Sequence, residues 1–167
     1  MSQNRLFEKD FEANTMTKII VKRLFECGEA DREMIYADLN DNYQSWRISK
    51  ILELIEVRKN DLKPEGERYL DRAQNDFGID DRLLVQVAQY HAKRCEPISS
   101  INDIPNTIIT KIEKNSFLPV NISFKSRGQN IAIINRVNYL IKIIEINAIV
   151  NKLENILMAH ANTIRPM

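Results

Sequence analysis

Apolar residues along this chain recur mostly at spacings of three and four, the period of a helix with one buried side. Leu6, Phe7 and Phe11, then Met16, Ile19, Ile20, Leu24 and Cys27, predict a long amphipathic helix in one or two parts, with Gly28 as its left-handed cap. Asp31 is placed to cap a second helix whose apolar stripe is Met34, Ile35 and Leu39, and Glu33 falls in its first turn, where the helix dipole favours a carboxylate. Asn40-Asp41-Asn42 then makes a sharp corner, because Asn and Asp tolerate left-handed backbone and bond their own turns. A third helix starts near Gln44 or Ser45. It buries Ile48, Ile51, Leu52 and Ile55 and turns Tyr43, Arg47 and Lys50 outward, while Trp46 suits either side.

The pattern resets at Asp76-Phe77-Gly78, which divides the chain into 1–75 and 76–167. Asp80 or Asp81 caps a helix with the stripe Leu83, Leu84, Val87, Ala88 and His91, ending before Pro97; Pro105 opens another that carries Ile108, Ile109 and Ile112. Val120, Ile122 and Phe124 alternate with polar residues and predict a short strand, followed by the basic turn Lys125-Ser126-Arg127-Gly128. The longest element runs from Gln129 to about Ala161. Tyr139, Ile143, Ile146, Val150, Leu153 and Leu157 keep a three-four rhythm on it, with Ile134, Val137, Ile141, Ile144 and Ala148 as a second stripe alongside. An arc that wide buries two faces, and the economical cover for the second is another copy of the chain, so a homodimer through those six residues is expected.

The corner and the segment after it carry a resemblance. A short helix, a tight turn and a second helix with a polar, basic outer face make the helix-turn-helix pattern. Asp61-Leu62-Lys63-Pro64-Glu65-Gly66-Glu67-Arg68-Tyr69-Leu70 resembles the Leu-Thr-Pro-x-Gly-x-x-x-Leu segment that follows the wing in bacterial and phage winged-helix transcriptional regulators. The resemblance covers Thr17 to Ala73. It implies that the leucine closes the last wing strand and that the Pro-Glu-Gly turn launches the next helix. One departure is plain: Ile55 to Leu62 is too short for a full two-stranded wing, so Arg58-Lys59-Asn60-Asp61 reads as a stunted hairpin or a loop. The fold expected is mainly α, a winged-helix-like N-terminal domain with a helical C-terminal oligomerisation region.

Charge qualifies what that fold would bind. The chain has 24 basic and 23 acidic residues, a net of +1, so any nucleic-acid role must rest on local charge. Asp31 to Arg72 holds eight basic and ten acidic residues, Gln44 to Lys63 five and three, and Asp80 to Met167 eleven and seven. The resemblance and these local surpluses make Tyr43, Gln44, Ser45, Arg47, Lys50, Arg58, Lys59, Lys63, Lys125 and Arg127 the candidate DNA contacts. Arg and Gln suit guanine and adenine edges, and cations suit phosphates.

Other chemistries find little footing. Cys27 and Cys95 lack a Cys-x-x-Cys partner and read as reduced thiols in a cytosolic protein. His91 and Cys95 stand four apart, a chelating spacing, but His160 is the only other histidine, so no metal site is expected. No glycine-rich phosphate loop or nucleophile–base–orienter set appears, so neither a catalytic site nor a cofactor is expected. The N-terminus has no signal-peptide core, and charges interrupt Ile131 to Ile146, so no membrane partner and a cytoplasmic, nucleoid-associated location are expected. Richness in Ile, Asn and Lys fits an AT-rich genome. The leading expectation is a dimeric regulator of transcription that binds double-stranded DNA. The other is a winged-helix adaptor subunit of a larger complex, which a near-neutral N-terminal domain suits better.

Overall fold

The computed structural model describes the backbone of residues 2–116 and 127–164, with side chains over 14–116 and 130–161. Six helices follow in order: α1 (Ser2–Glu26), α2 (Glu29–Asn42), α3 (Ser45–Asp71), α4 (Asp81–Ala92), α5 (Asn106–Asn115) and α6 (Arg127–Ile164). A π-type turn, Arg72–Asp76, extends α3, and a 3₁₀ turn, Ile101–Asp103, precedes α5. No strand occurs among the described residues. The expected strand at Val120, Ile122 and Phe124, and Lys125 after it, lie outside them.

The largest difference from expectation is at Arg58–Asp61 and the Leu62–Gly66 segment. Neither hairpin nor turn forms there; α3 runs through both, with Pro64 inside it. A proline in a helix forfeits one backbone bond, here to the Asn60 carbonyl, and costs about 3 kcal/mol unless packing offsets it. Gly66 shows where the packing comes from. It is buried, and a Cβ there would overlap the distal ring atoms of Tyr139. The glycine therefore admits a close approach rather than launching a turn.

Contacts divide the chain into two compact units, residues 1–59 with 146–167 and residues 60–145, where the sequence suggested a break near 75. In the first unit the buried apolar side chains, among the described residues, are Ile20, Val21 and Leu24 of α1, Ile35, Tyr36 and Leu39 of α2, Ile48, Ile51 and Ile55 of α3, and Ile146, Ile149, Leu153 and Ile156 of α6. Each fully buried Ile or Leu contributes roughly 1.5–3 kcal/mol. The α1 stripe is rotated from the one expected, for Met16 and Ile19 are exposed while Thr17 and Val21 are buried.

The α1–α2 corner also closes differently. Gly28 is extended (φ −76°, ψ 174°) and precedes α2 as its N-cap, so it is not a left-handed end to α1. The carbonyls that such a cap would serve are met otherwise. Arg32, buried on α2, donates through Nε to the Leu24 carbonyl at 2.7 Å, and the Cys27 N–H donates to Arg23 at 3.0 Å. A guanidinium at a helix C-terminus also answers the negative end of the dipole. Asp31 then sits within the first turn of α2 rather than capping it.

The second unit is built on Ala73, Ile79, Leu84, Val87, Ala88, Ile98, Ile104, Ile112, Ile133, Val137 and Ile141. Asp80 caps α4, accepting from the Arg82 N–H at 3.0 Å. Arg136 is the buried polar strut of this unit. Its Nε and Nη2 donate to the two Asp81 carboxylate oxygens at 2.7 and 3.0 Å, its Nη1 donates to the Gly66 carbonyl at 2.9 Å, and its guanidinium lies 5.1 Å from the Tyr139 ring centre. Asn138 of α6 holds the loop that follows α4, exchanging two bonds with the Ile98 backbone at 2.8 and 2.9 Å.

Candidate functional site

The corner between α2 and α3 forms one residue beyond Asn40-Asp41-Asn42, which complete α2 as helix and take no left-handed backbone. Helix α2 stops at Asn42, Tyr43 is extended (φ −116°, ψ 148°), and α3 starts at Ser45, so only Tyr43 and Gln44 separate the helices. Asn42 Nδ2 donates to Asp38 at 2.7 Å, a side-chain pair one turn apart on α2, and Asn40 Nδ2 donates to Asp41 at 3.2 Å. The C-terminal turn of α6 covers part of this corner. His160 Nε2 meets the Asn40 carbonyl at 2.9 Å, and its Nδ1 lies 3.4 Å from the Ser45 hydroxyl. A carbonyl only accepts, so Nε2 carries the proton, and in the neutral ring Ser45 donates to Nδ1.

Eight of the ten residues selected from sequence have described side chains, and their surroundings differ. Tyr43 and Ser45 are half-buried, the latter beside His160. Gln44 is exposed and accepts from the Trp46 indole at 2.6 Å. Arg47 is half-buried; it donates to Thr17 of α1 at 3.2 Å, and its guanidinium sits 4.5 Å from the Trp46 ring centre. Lys50 is exposed and pairs with Glu53 at 3.3 Å, a surface pair worth little in stability but enough to offset its charge. Arg58 lies 5.6 Å over Phe25, and Lys59 donates to Asn147 of α6 at 3.1 Å. Lys63 belongs to the other compact unit and is exposed there. Lys125 and the Arg127 side chain fall outside the described residues.

What α3 does present is a stripe that the sequence reading left aside. Trp46, Lys50, Glu53 and Val57, spaced four, three and four, fall on one side of the helix and are exposed, Trp46 by 49% and Val57 by 54%. Beside it a shallow groove of about 230 Å³ is lined by Asn14, Thr17 and Lys18 of α1 with Lys50, Glu53, Leu54 and Val57 of α3. The groove mixes apolar carbon with both signs of charge. The periodicity of Ile48, Ile51 and Ile55 implied such a face, but attention to cations passed over Trp46 and Val57.

The six positions expected to pair two copies are used unevenly. Ile146 and Leu153 are buried within the chain, and Tyr139, Ile143, Val150 and Leu157 are half-buried. From Ile146 onward the large apolar side chain exposed on α6, among the described residues, is Met158.

Titration and metal chemistry add little here. Burial pushes the Cys27 thiol above its ordinary value, which leaves it protonated and unreactive near neutral pH. Bonding to Glu65 raises the Tyr69 phenol. No group of three or more His, Cys, Asp or Glu is placed to hold a metal ion among the described residues. No helix among them is long and apolar enough to cross a membrane.

Compared with known protein families, curated proteins and solved structures, the chain matches none.

Proposed function

We propose that the protein is an interaction adaptor that docks a partner protein's amphipathic helix along the outer stripe of α3. The observation that carries this reading is the run Trp46, Lys50, Glu53 and Val57 on one side of the helix, with two large exposed apolar anchors and a cation already matched by a carboxylate. A helix with apolar residues at three-four spacing and charges at its margins complements such a face. A phosphate backbone does not gain from it, because Glu53 already pairs with Lys50 and would repel the polyanion.

The test places a photo-crosslinking residue at Val57 in the full-length chain, expressed in its native host. The expected result is one dominant protein adduct that resists nuclease treatment and disappears with Trp46→Ala. Adducts with nucleic acid only, or protein adducts indifferent to Trp46→Ala, would overturn it.

A second reading, a DNA-binding regulator of transcription that works through the same corner, is favoured by the two-residue connection into α3 and the exposure of Gln44 and Lys50. On that reading Arg47→Ala with Lys50→Ala abolishes salt-sensitive duplex binding, and the crosslinked partner is unaffected.

A further inference from the structure

We propose that the outward face of α4 is a contact surface for double-stranded DNA, distinct from the α3 stripe and independent of the adaptor reading. Arg82, Gln86, Gln89 and Lys93 are spaced four, three and four, which aligns them along one side of the helix, and all four are exposed. Tyr90 and Arg94 flank that line and are exposed as well. From Arg82 to Arg94 the sequence has no carboxylate.

The acids at the start of the helix are already engaged. Asp81 is held by Arg136 through two bonds, and Asp80 caps the helix and pairs with Arg82 at 3.0 Å. Beyond Arg94 the backbone turns at Cys95, which takes a left-handed conformation (φ 53°), so Glu96 does not continue the helical line. The face therefore offers a polyanion two cations, Lys93 and Arg94, without a carboxylate among them. This is the charge complement that α3 lacks.

Its geometry is also held in advance. The Arg94 guanidinium lies 3.8 Å from the centre of the Tyr90 ring and donates to the Tyr90 carbonyl at 3.4 Å; His91 meets the same ring edge-on with centroids 5.3 Å apart. A guanidinium fixed on an aromatic ring loses less side-chain freedom on binding phosphate than a loose one. Gln86 and Gln89, one turn apart, present paired donors and acceptors of the kind that read adenine edges. A helix of this length spans about 18 Å. It enters the major groove of B-form DNA, whereas the deep, narrow groove of duplex RNA excludes it.

The test uses the full-length protein and a fluorescently labelled duplex of about 20 base pairs, with anisotropy read from low to physiological salt. The wild type should bind weakly, in the range of roughly 10⁻⁴–10⁻⁶ M typical of non-specific contact. Lys93→Ala with Arg94→Ala should weaken binding about tenfold at low salt and reduce the log–log salt slope by about 1.8, the value for two lost phosphate contacts. Gln86→Ala with Gln89→Ala should leave that slope unchanged while erasing any preference between A·T-rich and G·C-rich duplexes. All these residues are exposed, so circular dichroism should be unaltered in each variant.

Trp46→Ala with Val57→Ser should bind the duplex as wild type does, so failure here and failure of the adaptor reading are separable. Absence of duplex binding at low salt overturns the proposal. So does equal binding by the Lys93/Arg94 variant, or loss through Arg47→Ala with Lys50→Ala instead. Heparin binding equal to duplex binding, with no effect of the glutamine changes, means cation exchange alone and overturns it too.

Discussion

Replacing Gly66 with alanine sets two opposing effects against each other in one methyl group. A glycine in a helix interior is about 1 kcal/mol less favourable than alanine, so on an exposed helix the change would stabilise. In α3 the added Cβ would overlap the distal ring atoms of Tyr139. That ring cannot swing away freely, since Arg136 packs over it at 5.1 Å and is itself fixed by Asp81 and the Gly66 carbonyl. Overpacking of this kind costs roughly 1–3 kcal/mol, so after the propensity gain Gly66→Ala should be less stable by about 1 kcal/mol. Urea unfolding followed at 222 nm measures it. In a Tyr139→Ala background the obstacle is gone and the same substitution should stabilise by about 1 kcal/mol, a reversal of sign that gives a coupling near 2 kcal/mol. A rise in the unfolding midpoint on Gly66→Ala in the wild-type chain, or the same effect in both backgrounds, would refute the reasoning.

The neighbouring strut gives a second expectation. Arg136→Met should cost roughly 3 kcal/mol, at the low end for a broken buried pair because Asp81 retains some solvent, and adding Asp81→Leu should recover much of the loss. Acid sensitivity should trace in part to Asp103, whose carboxyl the backbone N–H groups of Ser99 and Ser100 hold below its ordinary value. Its folded value being depressed, its contribution is present above the ordinary Asp value of about 3.9 and fades as pH falls through the lower folded value. The stability gap between wild type and Asp103→Asn, read as a melting temperature from pH 7 down to about pH 2.5, should therefore narrow only below about pH 4; a constant gap would contradict it. Leu153→Ala, at a fully buried site, should cost roughly 2–5 kcal/mol by the same denaturation, with a loss that does not vary with protein concentration because the contacts are made inside one chain.

Where the sequence could be read, local chemistry decided the structure. Ile48, Ile51 and Ile55 named the buried side of α3 by period alone, and the corner fell next to Asn40-Asp41-Asn42, although those three stay helical and the chain turns at Tyr43 and Gln44. Where it misled, distant residues decided. Pro64 and Gly66 read as a turn until Tyr139 and Arg136, some seventy positions later, are seen to occupy that side of the helix. Gly28 read as a left-handed cap, but Arg32 supplied the bond that such a cap would have made. The direction of Arg47 was likewise not local, since Thr17, thirty residues earlier, holds it. On α6 the heptad rhythm was legible, but period alone does not say whose surface covers it, and within the chain it is Ile146, Ile149, Leu153 and Ile156 that are covered.

The first compact unit takes its residues from two separated stretches, 1–59 and 146–167. On a ribosome adding about 5–20 residues per second, residues 1–59 must therefore wait while 60–145 are made before their last helical layer appears. The intervening unit, already synthesised, is free to fold first. A premature stop after Glu145 would release a product whose opening three helices lack Ile146, Ile149, Leu153 and Ile156, and so expose greasy surface to chaperones and proteases.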